Sequence, residues 1–244
     1  MQVDALAVDL RPRSMPEAAD LGVRLVQANV RSVWRCFVPL WLVVMALALA
    51  SVEIAGWLPG LIVFWLKPWL DRSLLFVLSR AVFGESTRFA DLWRERSQVL
   101  FGQLLATLSL RRLSAWRSFT QAAYQLEGQR GAALRRRRGQ LLRGKRGAAV
   151  AMHLAFANIE FILVSGVVAS ALWFAPPGKT SDIFELLFRS ESLTATLAGA
   201  LAYGCVVGVL EPFYVAAGFA MYLNRRVELE AWDIEQEFRR AFAG

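Results

Sequence analysis

The run CFVPLWLVVMALALASVEIA, from Cys36 to about Ala55, carries one charged residue, and its length as a helix matches the roughly 30 Å hydrocarbon core of a bilayer. Three further apolar stretches follow, Leu61 to Ser79, Gly147 to Ala175 and Leu193 to Leu223. A chain of 244 residues that is 56% hydrophobic, with sixteen Phe and nine Trp, holds more apolar surface than an ordinary soluble domain can bury. The fold class predicted is all-α, a polytopic membrane helical bundle of about four spans. The segment ALALAS (Ala46 to Ser51) has the small-x-small pattern of a signal-peptide cleavage site. About 35 residues precede the apolar run, however, whereas a whole signal peptide is roughly 15 to 30 residues, so an uncleaved first span is expected. Cys36 and Cys205 both lie in apolar runs, which argues against a disulfide framework.

Between and around the spans the pattern changes. Ser14 and Glu17 form an S-x-x-E capping box with Pro16 in the first turn, and Val23, Val26, Val30, Val33 and Phe37 recur at 3,4,3,4 spacing. This predicts an amphipathic helix entering the bilayer, with Arg24, Arg31 and Arg35 off the valine stripe. The apolar centre from Val99 to Leu110 is short for a crossing, and length favours an interfacial or re-entrant helix there over a full span. The last apolar stretch, by contrast, would be about 46 Å long if straight, so it must tilt, kink at Pro212 or protrude. Beyond it Leu223, Val227, Ala231, Ile234 and Phe238 predict an amphipathic tail, with Tyr222 at the membrane interface.

The organisation expected is therefore a cytoplasmic N-terminal segment over 1–35, a first transmembrane hairpin over 36–80 and a basic cytoplasmic or interfacial helical segment over 81–147. A second hairpin over 148–224 and a cytoplasmic tail over 225–244 complete it. Between Arg111 and Arg146 stand eleven basic residues and one acid, Glu127. With four crossings, this run, the N-terminal arginines and Arg225 with Arg226 all fall on one side, which puts both termini in the cytoplasm. Arg135, Arg136, Arg137, Arg138, Arg143, Arg225 and Arg226 are the expected contacts to anionic lipid or protein partners. A net charge of +8 would suggest nucleic acid in a soluble protein, but no aromatic stacking platform accompanies these arginines.

Ionisable residues within spans are costly and face the bundle interior. Lys67 and Asp71 share a helix face at i,i+4 and can neutralise each other, with Arg72 beside them near the middle of the second span. His153 and Glu160 share a face at i,i+7, and Glu211 lies next to Pro212 in the last span. Together Lys67, Asp71, Arg72, Glu160 and Glu211 nearly balance their charges. Such a network either binds an ion, a proton or a lipid headgroup, or consists of inter-helix pairs that fix register. His153 has no companion at metal-ligand spacing, and no G-x-S-x-G, phosphate loop or dinucleotide fingerprint occurs. No cofactor, metal or catalytic residue is expected.

Both ends of the chain resemble a known family. LRPRSMPEAADLGVRLVQANVRSVW, from Leu10, is similar to the opening of the bacterial membrane domain found fused to some glycerophosphodiester phosphodiesterases and in stand-alone relatives. EPFYVAAGFAMYLNRRVELEAWDIE, from Glu211, is similar to its ending, a proline-containing last span closed by a tyrosine, two basic residues and an acidic tail. The resemblance covers about 35 residues at each end, and the long basic middle departs from it. It implies a multi-pass protein of the bacterial inner membrane. The phosphodiesterase chemistry of the fusions belongs to a separate domain whose catalytic residues have no positions here. Stand-alone relatives are often encoded beside AAA+ ATPase, von Willebrand-type and transglutaminase-like proteins, which implies an accessory role. The expected function is a non-enzymatic membrane subunit or scaffold docking protein partners and anionic lipid. The alternative is a small transporter or lipid-binding module that uses the buried charges.

Overall fold

The computed structural model describes residues 12–230 except 103, 110–112, 177 and 189–191, and leaves undescribed the side chains of 106 and 186–188. The predicted tail beyond 230, with Ala231, Ile234 and Phe238, lies outside these residues. Every regular element among them is an α-helix. Four form an antiparallel frame: α2 (Val30–Ala50), α3 (Leu58–Ala81), α9 (Arg146–Trp173) and α11 (Leu193–Glu230).

The first helix, α1 (Met15–Ala28), starts where the sequence places it. The Ser14 hydroxyl accepts a hydrogen bond from the Glu17 amide, and the Glu17 carboxylate meets Arg13 at 2.7 Å. Asn29 then interrupts the helical run, at φ −117° and ψ 24°, before α2 begins. That break shifts the phase of the valine stripe, so that Val26 and Val33 are buried but Val30 is 47% exposed.

Together α1 and α2 run antiparallel along α11. Arg13 and the Asn224 amide exchange two hydrogen bonds of 2.9 Å, Trp34 meets Phe213 edge-on, and the Trp41 indole donates to the Gly204 carbonyl at 3.0 Å. Gly22 makes the approach possible, because a Cβ there would stand 2.2 Å from the Ala216 carbonyl oxygen. At the other end Gly56 lies beside Thr196, and Lys145 beside Glu228 puts the start of α9 next to the end of α11. The basic stretches of the described chain therefore gather at one end of the frame.

Burial divides the long helices into two halves. In α3, Leu61, Phe64 and Trp65 are exposed, whereas every residue from Leu70 to Leu78 is buried, which requires neighbours on all sides. The same change occurs in α11, where Leu201 and Val209 are exposed and the run from Glu211 to Phe219 is buried except for the half-buried Phe213. The neighbours enclosing the buried half are α1 and the short helices α4 (Phe89–Arg94), α5 (Arg96–Val99), α6 (Leu104–Leu108) and α7 (Arg117–Gln125). On α9 the only buried residues are Ala149 and Met152, and Phe161, Ile162 and Trp173 stand open.

Among the described residues three helices, α2, α9 and α11, are long and apolar enough to cross a membrane. Although α3 has 24 residues, it carries Lys67, Asp71 and Arg72 in its middle and is not among them. The Val99 to Leu110 stretch contains a break between α5 and α6, which at four and five residues are far shorter than the roughly 20 residues a crossing needs. α11 continues as one helix through Pro212 and is about 57 Å long. Its last turns pack on α8 (Gly131–Leu142), and α10 (Thr180–Phe188) lies between α9 and α11 in the chain. Cys36 is buried and Cys205 exposed, and neither is in a disulfide.

Candidate functional site

The change from open to enclosed in α3 and α11 coincides with a set of charges. Lys67 Nζ, on α3, bonds Glu160 of α9 at 2.6 Å and Glu211 of α11 at 3.0 Å. The other Glu211 oxygen accepts from Arg117 at 2.9 Å, and Arg117 Nε stands 3.1 Å from Asp71. Four helices are thus joined by two cations and three carboxylates. Asp71, Glu211 and Lys67 are 0%, 1% and 8% exposed, so their charges must be met by one another rather than by water.

Arg117 links the two parts of this chain of ion pairs. Its guanidinium lies 5.3 Å from the centre of the Tyr214 ring, the Tyr214 hydroxyl is 3.0 Å from His153 Nδ1, and Phe156 packs edge-on against the same ring. Burial alone would lower the affinity of Arg117 for its proton, but Asp71, Tyr214 and Glu211 outweigh it and hold the group above the ordinary arginine range. Arg117 therefore remains a cation. The contact between Arg117 Nε and Asp71 is an ion pair that falls short of hydrogen-bond geometry.

A cavity of about 420 Å³ opens beside the network, between α3, α9 and α11. Its floor is Lys67, Arg117, Glu160 and Glu211, and its walls include Phe64, Phe156, Phe161, Tyr203 and Tyr214. Glu160 stands nearest the opening, with a side chain 23% exposed against 2% for Glu211.

Of the residues singled out in the sequence, Lys67, Asp71, His153, Glu160 and Glu211 do come together. Lys67 and Asp71 do not pair with each other, however: each finds its partners on other helices, in keeping with the less favourable Lys-before-Asp order. Arg72 is a correction. One residue from Asp71, it is turned roughly 100° round α3 and donates to the Gln98 and Val99 carbonyls and to Thr107. It closes the end of α5 instead of joining the ion pairs.

Arg117 was hidden in the sequence among the basic residues of the middle segment. The one signal is local: Arg117 is the sole charge in RSFTQAAYQ, whose residues Ser118 to Ala123 are all buried. A Cβ at Gly218 would stand 2.3 Å from the Ser118 hydroxyl oxygen, which shows how closely α7 approaches α11.

The basic end is less free than its composition implies. Arg137 pairs with Glu127 and Glu230, Arg138 donates to Thr120, Arg225 bonds Glu228 and the Arg143 carbonyl, and Arg226 pairs with Glu230. Its hydrogen bonds to Glu127, opposed by partial burial, hold Arg137 above the ordinary arginine range. Tyr222, expected at an interface, is buried and donates to Glu127. Arg135, Arg136 and Arg143 are exposed.

No group of three or more metal-ligating side chains occurs among the described residues. No protein-family model, curated protein or solved structure matches the chain.

Proposed function

We propose that this is a non-enzymatic, multi-pass protein of the bacterial inner membrane whose cavity binds a membrane amphiphile through its polar head. The observation that carries this reading is the ion-paired floor under aromatic walls, placed where α3 and α11 pass from open apolar surface into an enclosed body. An amphiphile has that polarity: its apolar part rests against Phe161 and the open face of α9, and its head reaches Glu160 and Lys67. In this reading α3 is the fourth crossing, screened from lipid around its charges by α9, α11 and α7. The basic end then faces the cytoplasm, as the gathering of arginines there favours. The likeness of both chain ends to the membrane domain of phosphodiesterase fusions belongs to the same proposal.

Lipid analysis of the chain purified in maltoside detergent tests it. One class of amphiphile should remain bound in a fixed ratio, and Glu211→Gln with Asp71→Asn should release it without lowering the helix content. Recovery of only the bulk lipid mixture from both proteins would sink the proposal.

A scaffold role is favoured by a different observation. Arg130, Arg135, Arg136, Arg143 and Arg146 are exposed at the basic end, and α8 contains no acid. Such a surface attracts anionic lipid at about 1 kcal/mol per nearby basic residue and can seat an acidic protein partner. Binding to vesicles containing phosphatidylglycerol should weaken on replacement of Arg135 and Arg136 while the cavity ligand is retained. Equal loss of both would merge the two roles into one site.

A further inference from the structure

We infer that the head recognised in the cavity is an ammonium group, a primary amine or a quaternary nitrogen; this inference rests on the amphiphile-binding reading above. Charge points to it first. Among the described residues the floor holds three carboxyl groups, Asp71, Glu160 and Glu211, against two cations, Lys67 and Arg117. Both cations are already committed, Lys67 to two glutamates and Arg117 to Glu211 and Asp71, so neither is available to an anion without breaking an ion pair. Glu160 differs from the other carboxylates. It is the outermost, and Lys67 touches it through Oε2 while remaining tied to Glu211 on the other side. An arriving ammonium can share Glu160 with Lys67 and leave the deeper pairs intact.

The walls agree with the charge. Phe64, Phe156, Phe161 and Tyr203 line the cavity, and aromatic faces attract ammonium groups through their negative π surface. The site already uses this interaction, since the Arg117 guanidinium lies 5.3 Å from the centre of the Tyr214 ring. His153, occupied with the Tyr214 hydroxyl, lies beside the cavity without adding a charge when neutral. An anionic head would meet Glu160 first and be repelled.

The test uses the full chain in maltoside micelles with benzyltriethylammonium, and with benzenesulfonate as a matched anion. Titration calorimetry should show the cation saturating one site per chain and the anion not binding. Glu160→Gln should weaken the cation at least tenfold, and Glu160→Asp should restore part of the loss, with both variants melting within a few degrees of the parent. Native mass spectrometry with equal phosphatidylethanolamine and phosphatidylglycerol separates the two sources of an ammonium. Retained phosphatidylethanolamine identifies a lipid head, whereas retention of neither lipid, alongside tight benzyltriethylammonium binding, identifies a free amine. Preference for benzenesulfonate or phosphatidylglycerol, lost in Lys67→Met, would overturn the ammonium inference and leave the cavity reading standing. Cation binding unaffected by Glu160→Gln would also overturn it. If the parent binds neither probe and retains neither lipid, both readings fall.

Discussion

The two clusters of ion pairs in this molecule use the same chemistry in different surroundings. In the central network Asp71 and Glu211 are sealed from water and depend on Arg117 and Lys67. At the basic end Arg137, Glu127, Glu230 and Arg226 form comparable pairs, but their side chains stay 12% to 26% exposed. Water can replace a lost partner at the basic end and not in the centre. The difference teaches that the number of pairs says little about stability, because an ion pair matters chiefly through what its removal leaves behind.

The sharpest way to break this comparison is Arg117→Met. It leaves Asp71 without its ion partner and should cost about 3 to 5 kcal/mol, read from unfolding in mixed micelles. Adding Asp71→Leu should recover most of that loss, since no stranded charge then remains beside the new methionine. A cost below about 1 kcal/mol for the single change would mean that water reaches the network, and the contrast between the two clusters would disappear.

An uncharged control comes next. Gly22→Val pushes a side chain into the backbone of α11 at Ala216 and should destabilise by about 1 to 3 kcal/mol through overpacking alone. If it costs as much as Arg117→Met, the network has no special weight in holding the helices together.

Arg72→Met tests whether the neighbouring arginine is as separate as its bonds indicate. Losing its donors to the Gln98 and Val99 carbonyls should cost about 1 to 3 kcal/mol and speed proteolysis near Arg96. Ligand binding in the cavity should be unchanged; a parallel loss of binding would join Arg72 to the site after all.

At the basic end Arg137→Gln should cost no more than about 1 kcal/mol, and added salt should shrink the difference from the parent. Smallest of all is Arg135→Ala with Arg136→Ala, expected within about 0.5 kcal/mol in stability because both side chains are exposed. An effect on vesicle binding without one on melting would assign these two residues to the surface alone.

Much of the architecture was legible in the linear pattern. Apolar runs long enough for a bilayer marked α2, α9 and α11, and the cap at Ser14 marked the start of α1. The rule that buried charges seek partners brought together Lys67, Asp71, Glu160 and Glu211 from three separate runs. Spacing along a helix failed at Arg72, because the face a residue occupies does not say which neighbour will cover that face. It failed more fully at Arg117, where a core cation looked like one more arginine in a solvated stretch.

What the sequence by itself determined is the set of long apolar helices and the need for an internal charge network. Both follow from short-range terms, hydropathy along a segment and the cost of an unpaired charge, which are properties of each stretch alone. Only the tertiary structure decided that Arg117 rather than Arg72 completes the network, that α7 enters the core, and that Glu160 is the carboxylate left near an opening. Those outcomes depend on close approaches between residues far apart in the chain, such as Gly218 against Ser118 and Gly22 against Ala216. Packing chooses among the partners that charge permits.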